Sequence, residues 1–90
     1  MVNPKLEYIE DIVRSNFSSD FQECIKLTPN ENNLIIIEVK YESKSLPASM
    51  CTHMIHERIV DGLFPYGMRV NEDYKVKTDI TWKPTKKIRL

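Results

Sequence analysis

"NLIIIEVKYES", residues 33–43, decides the fold. Leu34 to Ile37 is an unbroken apolar run, and polar and apolar residues then alternate through Glu38, Val39, Lys40 and Tyr41. β-Branched side chains dominate the centre, which suits a pleated, half-buried surface. The pattern predicts a strand over about residues 34–41. Ile35, Ile37, Val39 and Tyr41 then face a covering layer, while Glu38, Lys40 and Glu42 face water, because strand side chains alternate.

Working outward, Gln22 to Thr28 also alternates, and Pro29-Asn30-Glu31-Asn32-Asn33 is turn chemistry. The two strands therefore read as a hairpin. Before them, Asn3 can cap and Pro4 suits a first helical turn. Leu6, Ile9 and Val13 recur at helical spacing, so a helix is predicted over about 4–16, ended by the polar run Ser15 to Asp20. After the hairpin, Ser43 to Pro47 breaks the strand. Ala48, Cys51, Ile55 and Ile59 then share one helical face, with Leu63 behind and Gly62 as the stop signal. Asn71 to Asp73 is a turn. Tyr74, Val76, Thr78, Ile80 and Trp82 alternate with Lys75, Lys77, Asp79, Thr81 and Lys83, which predicts a last strand ended by Pro84. Its period places Tyr74 and Trp82 with the core, opposite the lysines. The order helix-strand-strand-helix-strand predicts a two-layer α+β sandwich, two helices covering one face of a small antiparallel or mixed sheet.

Ninety residues make one domain, spanning residues 1–90 and ending in a short basic tail at about 84–90. A chain this short buries a modest share of its surface, which favours added stability from a homodimer. The formal net charge is +0, which argues against a general polyanion binder. Cys24 and Cys51 are too few and too far apart for a disulfide scaffold or a metal knuckle, and they read as reduced thiols. No stretch is apolar enough for a signal peptide or a bilayer span. The expectation is a cytoplasmic protein without membrane contact, metal or cofactor.

Glu38-Val39-Lys40 resembles the Glu-x-Lys of restriction-endonuclease-like nucleases. There the residues follow an acidic residue on the preceding strand or turn. Two carboxylates hold Mg²⁺, and the lysine activates the attacking water. Glu38 and Lys40 share a strand face, as that chemistry requires. The turn, however, reads Pro29-Asn30-Glu31 where the family shows Pro-Asp, and Asp20 is only a distant substitute. A degenerate Mg²⁺-dependent nuclease with Glu38 and Lys40 as its residues is the enzymatic alternative, and the solvent face of a strand is the simpler reading. On the second helix, His53 and His56, and His53 and Glu57, are helical neighbours. Cys51 points about 200° away from His53, so these residues read as a solvated face and not a metal site.

Two surfaces stand out as candidate binding sites. From Tyr74 onward the basic residues are Lys75, Lys77, Lys83, Lys86, Lys87 and Arg89, against the single acid Asp79. Such a strip suits a phosphate backbone or an acidic protein, and lysines on an edge strand also guard against sheet-to-sheet aggregation. Leu63-Phe64-Pro65-Tyr66-Gly67-Met68 is a loop rich in large apolar side chains. Phe64, Tyr66 and Met68 either fold back over the core or form a partner-binding patch. The element order is also similar to the type II KH fold and the BolA-like proteins. A KH domain clamps RNA with Gly-x-x-Gly, whereas Gly62 and Gly67 stand five apart here, so the likeness is one of topology. The function expected is a small non-enzymatic binding module that docks on a protein partner, such as an inhibitor, antitoxin or regulatory subunit. A nucleic-acid-binding module using the basic strand is the second alternative.

Overall fold

Asn3 caps the first helix as its sequence suggests: its side-chain oxygen accepts from the Leu6 backbone N–H at 3.1 Å. In the computed structural model, which describes residues 3–83, α1 runs Pro4–Ser15 and is followed by a single turn of helix, α2, at Ser19–Gln22. The strands β1 (Ile25–Pro29) and β2 (Ile35–Ser43) follow. Then come α3 (Ala48–Leu63), a 3-10 turn (Phe64–Tyr66) and β3 (Tyr74–Trp82). The basic tail at 84–90, with Lys86, Lys87 and Arg89, lies outside the described residues.

The sheet has the order β1-β2-β3, so β2 is central and the other two strands are edges. β1 and β2 are antiparallel, with Leu27 opposite Ile37 and Lys26 opposite Glu38. β2 and β3 are parallel, with Ile35 beside Tyr74, Ile37 beside Val76, Glu38 beside Lys77 and Lys40 beside Asp79. The sheet is therefore mixed, and α3 is the crossover that a parallel pair requires. Both helices pack on one face. Ile9, Ile12 and Val13 of α1 meet Ile35, Ile37 and Val39 of β2, together with Cys51, Ile55, Ile59 and Leu63 of α3. That contiguous apolar cluster is the core.

Local polar bonds fix the connections. In the hairpin, the Asn30 side chain accepts from the N–H groups of Asn32 and Leu34, and Asn33 takes a left-handed conformation at φ 62°. The buried Ser43 hydroxyl donates to the Leu46 carbonyl and accepts from the Leu46 N–H, which turns the chain from β2 towards α3. Arg14 donates to the carbonyls of Gln22 and Ile25 at 2.9 and 3.3 Å and pairs with Glu10, tying α1 to the start of β1. Lys5 reaches the Asn33 carbonyl and the Asp73 carboxylate, tying the other end of α1 to both turns.

Three details depart from the sequence reading. The alternation that begins at Gln22 is not strand at its start. Gln22 closes α2, and stacking of Phe17 on Phe21, with ring centroids 4.8 Å apart, holds that turn. Gly62 does not stop α3. It sits inside the helix, where a Cβ would collide with the Asn16 side chain at the end of α1, so its lack of a side chain serves helix approach. α3 passes at Leu63 into the 3-10 turn, and that turn stops at Gly67, at φ 80°, where the Gly67 and Met68 N–H groups return to the Phe64 and Leu63 carbonyls in a Schellman closure. Trp82 is not core: it is 48% exposed. On the covered face of β3, Tyr74 is buried, Val76, Thr78 and Ile80 are half-buried and Trp82 is exposed, so the helical layer thins out towards the end of the strand.

Gly67→Ala is expected to cost about 1 kcal/mol, because an L side chain is strained in the left-handed region. Among the described residues, its chain neighbours aside, no atom lies within 4 Å of the added methyl, so the strain acts alone. A denaturation midpoint equal to that of the wild type would contradict the left-handed closure.

Candidate functional site

The loop 63–68 does not fold back over the core. Leu63 is buried and Met68 packs against the core cluster, and these two residues pin its ends. Between them the 3-10 turn lifts Phe64 and Tyr66 into solvent, 67% and 55% exposed. Pro65 suits the first turn of such a helix because its fixed φ is helical and its missing N–H lacks a partner there anyway. Tyr8 of α1 joins the pair from the side. Its ring meets the Tyr66 ring edge to face, with centroids 6.1 Å apart and planes at 88°. Tyr8 and Tyr66 thus form an aromatic patch, and exposed Phe64 stands two residues before Tyr66 on the same turn. Tyr8 shares the exposed face of α1 with Glu7 and Asp11, and exposed Asp61 lies one turn before Phe64, so the flanks are mainly acidic, with exposed Arg69 after the turn.

Of the loop residues singled out from the sequence, Tyr66 belongs to this patch, Phe64 is exposed on the same turn, and Met68 packs against the core. Tyr8 escaped the sequence reading. Its signal was a large aromatic among Glu7 and Asp11 on the polar face of an amphipathic helix, where burial gives no reason for it.

The basic residues lie elsewhere. Lys75 and Lys77 point to the open face of the sheet, away from the helices and the aromatic patch. Charges alternate there across the strands. Glu38 stands between Lys26 and Lys77, Lys40 stands opposite Asp79, and Lys83 bonds Glu42 at 3.3 Å. The interspersed acids lower the positive field that these lysines would offer a polyanion. The neighbours of Glu38 and Lys40 also bear on the nuclease resemblance. The residues in register with Glu38 are both ammonium groups, whereas Mg²⁺ needs a second carboxylate there. Asp20 lies on α2, off the sheet.

On α3, His53 meets Glu57 at 3.1 Å with both side chains well exposed, and Cys51 faces the core. Among the described residues no group of three or more His, Cys, Asp or Glu side chains could hold a metal ion. Both cysteines are free thiols. Among the same residues no helix is long and apolar enough to cross a membrane.

A second apolar feature had no forecast. Phe17, Phe21, Tyr41, Leu46 and Met54 line a groove of about 170 Å³ between α2, the end of β2 and α3. Phe21 leans on Tyr41 with centroids 4.9 Å apart, and the Arg58 guanidinium lies over Phe17 at 5.7 Å. Arg58 also donates to the Asn16 carbonyl at 3.0 Å, so this groove is part of the join between α1 and α3.

No family model matches the chain, and neither the curated proteins nor the solved structures yield a match to it.

Proposed function

We propose that this chain is a non-enzymatic binding module that docks on a protein partner through Tyr8, Phe64 and Tyr66. The observation that supports this most is the exposure of Phe64 and Tyr66 on a turn whose ends are anchored by Leu63 and Met68. Anchored aromatics lose little conformational freedom on binding, and such side chains dominate the energetics of protein interfaces. The acidic flanks at Glu7, Asp11 and Asp61 favour a partner whose surface combines apolar and basic side chains. An inhibitor, antitoxin or regulatory subunit works in this way, by occupying another protein's surface with no chemistry of its own.

Phe64→Ala and Tyr66→Ala test the reading. Each is expected to weaken a captured partner by about tenfold or more while leaving the folding midpoint close to the wild type, since neither ring is buried. Partner capture by the wild type and by both variants, followed by titration, is the measurement. Tight binding to nucleic acid that survives loss of both rings, and weakens steeply with salt, would transfer the function to the lysines of the open face.

A further inference from the structure

β3 presents a free edge among the described residues, and its sequence is complementary to itself. We propose that β3 pairs antiparallel with β3 of a second copy of this chain, in the register that sets Lys77 opposite the second copy's Asp79. The geometry of the sheet supports this in three ways. First, the direction of the backbone groups is known. The Asp73 carbonyl accepts from Ile35 N–H and the Lys83 N–H donates to the Ser43 carbonyl, so odd-numbered residues of β3 bond to β2. The N–H and C=O groups of Val76, Thr78 and Ile80 therefore point outward, along the free edge. Tyr74 is already partly used, because its carbonyl accepts from Asn71.

Second, the face pattern matches. With Thr78 on a two-fold axis, Val76 lies opposite Ile80 and Thr78 opposite Thr78, and these pairs exchange their outward hydrogen bonds. Val76 and Ile80 are half-buried on the covered side in the single chain, and pairing covers them further. The exposed Trp82 is carried alongside the beginning of the second copy's β3, towards its Tyr74. Third, the charges select this register. Lys77 and Asp79 form the closely spaced, non-hydrogen-bonded pairs of the ladder, where side chains approach most nearly. Centring the axis on Lys77 opposes Lys75 to Asp79 but sets two lysines against each other at the axis, centring it on Asp79 sets two aspartates together, and centring it on Val76 opposes Lys75 to Lys77. Lysines on an edge repel general strand addition, and with Thr78 on the axis Asp79 meets Lys77 twice while no like charges within the strand are opposed.

Sedimentation equilibrium of the full chain tests the proposal. The wild type is expected to pass from monomer to dimer with rising concentration. Asp79→Lys opposes like charges at both symmetric positions and is expected to weaken the dimer by about tenfold or more. The swap Lys77→Asp with Asp79→Lys restores opposite charges and with them the dimer. Within the chain the reversals set a lysine beside Lys40 and, in the swap, an aspartate beside Glu38, so the folding midpoint of each variant is measured by circular dichroism and the dimer is compared at temperatures where all are folded. In the dimer, amide exchange slows at Val76, Thr78 and Ile80. The amides of Lys75, Lys77 and Asp79 are already held by β2 and stay unchanged. A wild type that remains monomeric at about 1 mM overturns the proposal. So does a dimer indifferent to Asp79→Lys, or one abolished by Phe64→Ala in place of the charge reversal.

Discussion

Replacing Ile37 with alanine is expected to cost about 2–5 kcal/mol of folding stability. Ile37 is 0% exposed, at the middle of the central strand, with Leu27 beside it on β1 and Val76 on β3. Ile37 belongs to the one core cluster that the sheet, α1 and α3 build, so the vacated volume cannot close without moving several elements. A small domain has only about 5–15 kcal/mol in total, and the variant would lose a large part of it. Ile36→Ala is the matched control. Its side chain lies on the open face between Thr28 and Lys75 and is half-buried, so its loss should stay below about 1 kcal/mol. Equal losses from the two variants, read from chemical denaturation, would disprove the assignment of faces on β2.

Tyr74→Phe is expected to act in the other direction, stabilising the fold by about 1–2 kcal/mol. Tyr74 is fully buried, and its hydroxyl has no hydrogen-bond partner among the described residues, so the folded state carries an uncompensated desolvation cost that phenylalanine lacks. The same burial, and then the Asp73 and Asp61 carboxylates, push the phenol's pKa above its usual value. The folded chain therefore holds this proton at pH values where the unfolded chain has released it, from about pH 10 upward. Below that range this group leaves stability unaffected by pH. As pH climbs through it, the native state loses ground to the unfolded one. Tyr74→Phe should remove that alkaline component, and midpoints taken between neutral pH and about pH 11 will show whether it does. A phenylalanine variant less stable than the wild type at neutral pH would mean that the hydroxyl does find a partner.

The elements read most directly from the sequence are those whose period survives in one stretch. Ile35, Ile37 and Val39 fixed the covered face of β2, and Cys51, Ile55, Ile59 and Leu63 fixed that of α3, because each pattern records contact with a single apolar layer. Trp82 shows the limit of that logic. Its period is correct, since it pairs with the buried Ser43, yet a side chain on the covered face is buried only where a helix lies above it. Gly62 shows another limit. A glycine near a helix end marks either a stop or a close approach, and only the position of Asn16 tells which. The parallel pairing of β3 with β2 is likewise invisible in either strand alone. The aromatic patch was half legible: loop 63–68 carried unusual bulk, but whether Phe64 and Tyr66 turned inward depended on the Schellman closure around Gly67, and the arrival of Tyr8 depended on how α1 crosses α3.

The two joins of β2 differ in how much chain each must close. Pairing with β1 closes only the turn built on Asn30, whereas the parallel join to β3 brings Tyr74 to Ile35 across the whole of α3. Loop-closure entropy grows with the length enclosed, and non-local contacts repay it late in folding. The hairpin can therefore form early with α1 against it, and β3 arrives last. Until it does, β2 offers a bare, β-branched edge over Ile35 to Val39, the kind of segment that recruits strands from other chains. The interval before β3 docks is when this protein is most exposed to misassembly, and during synthesis that interval lasts until Tyr74–Trp82 has been made.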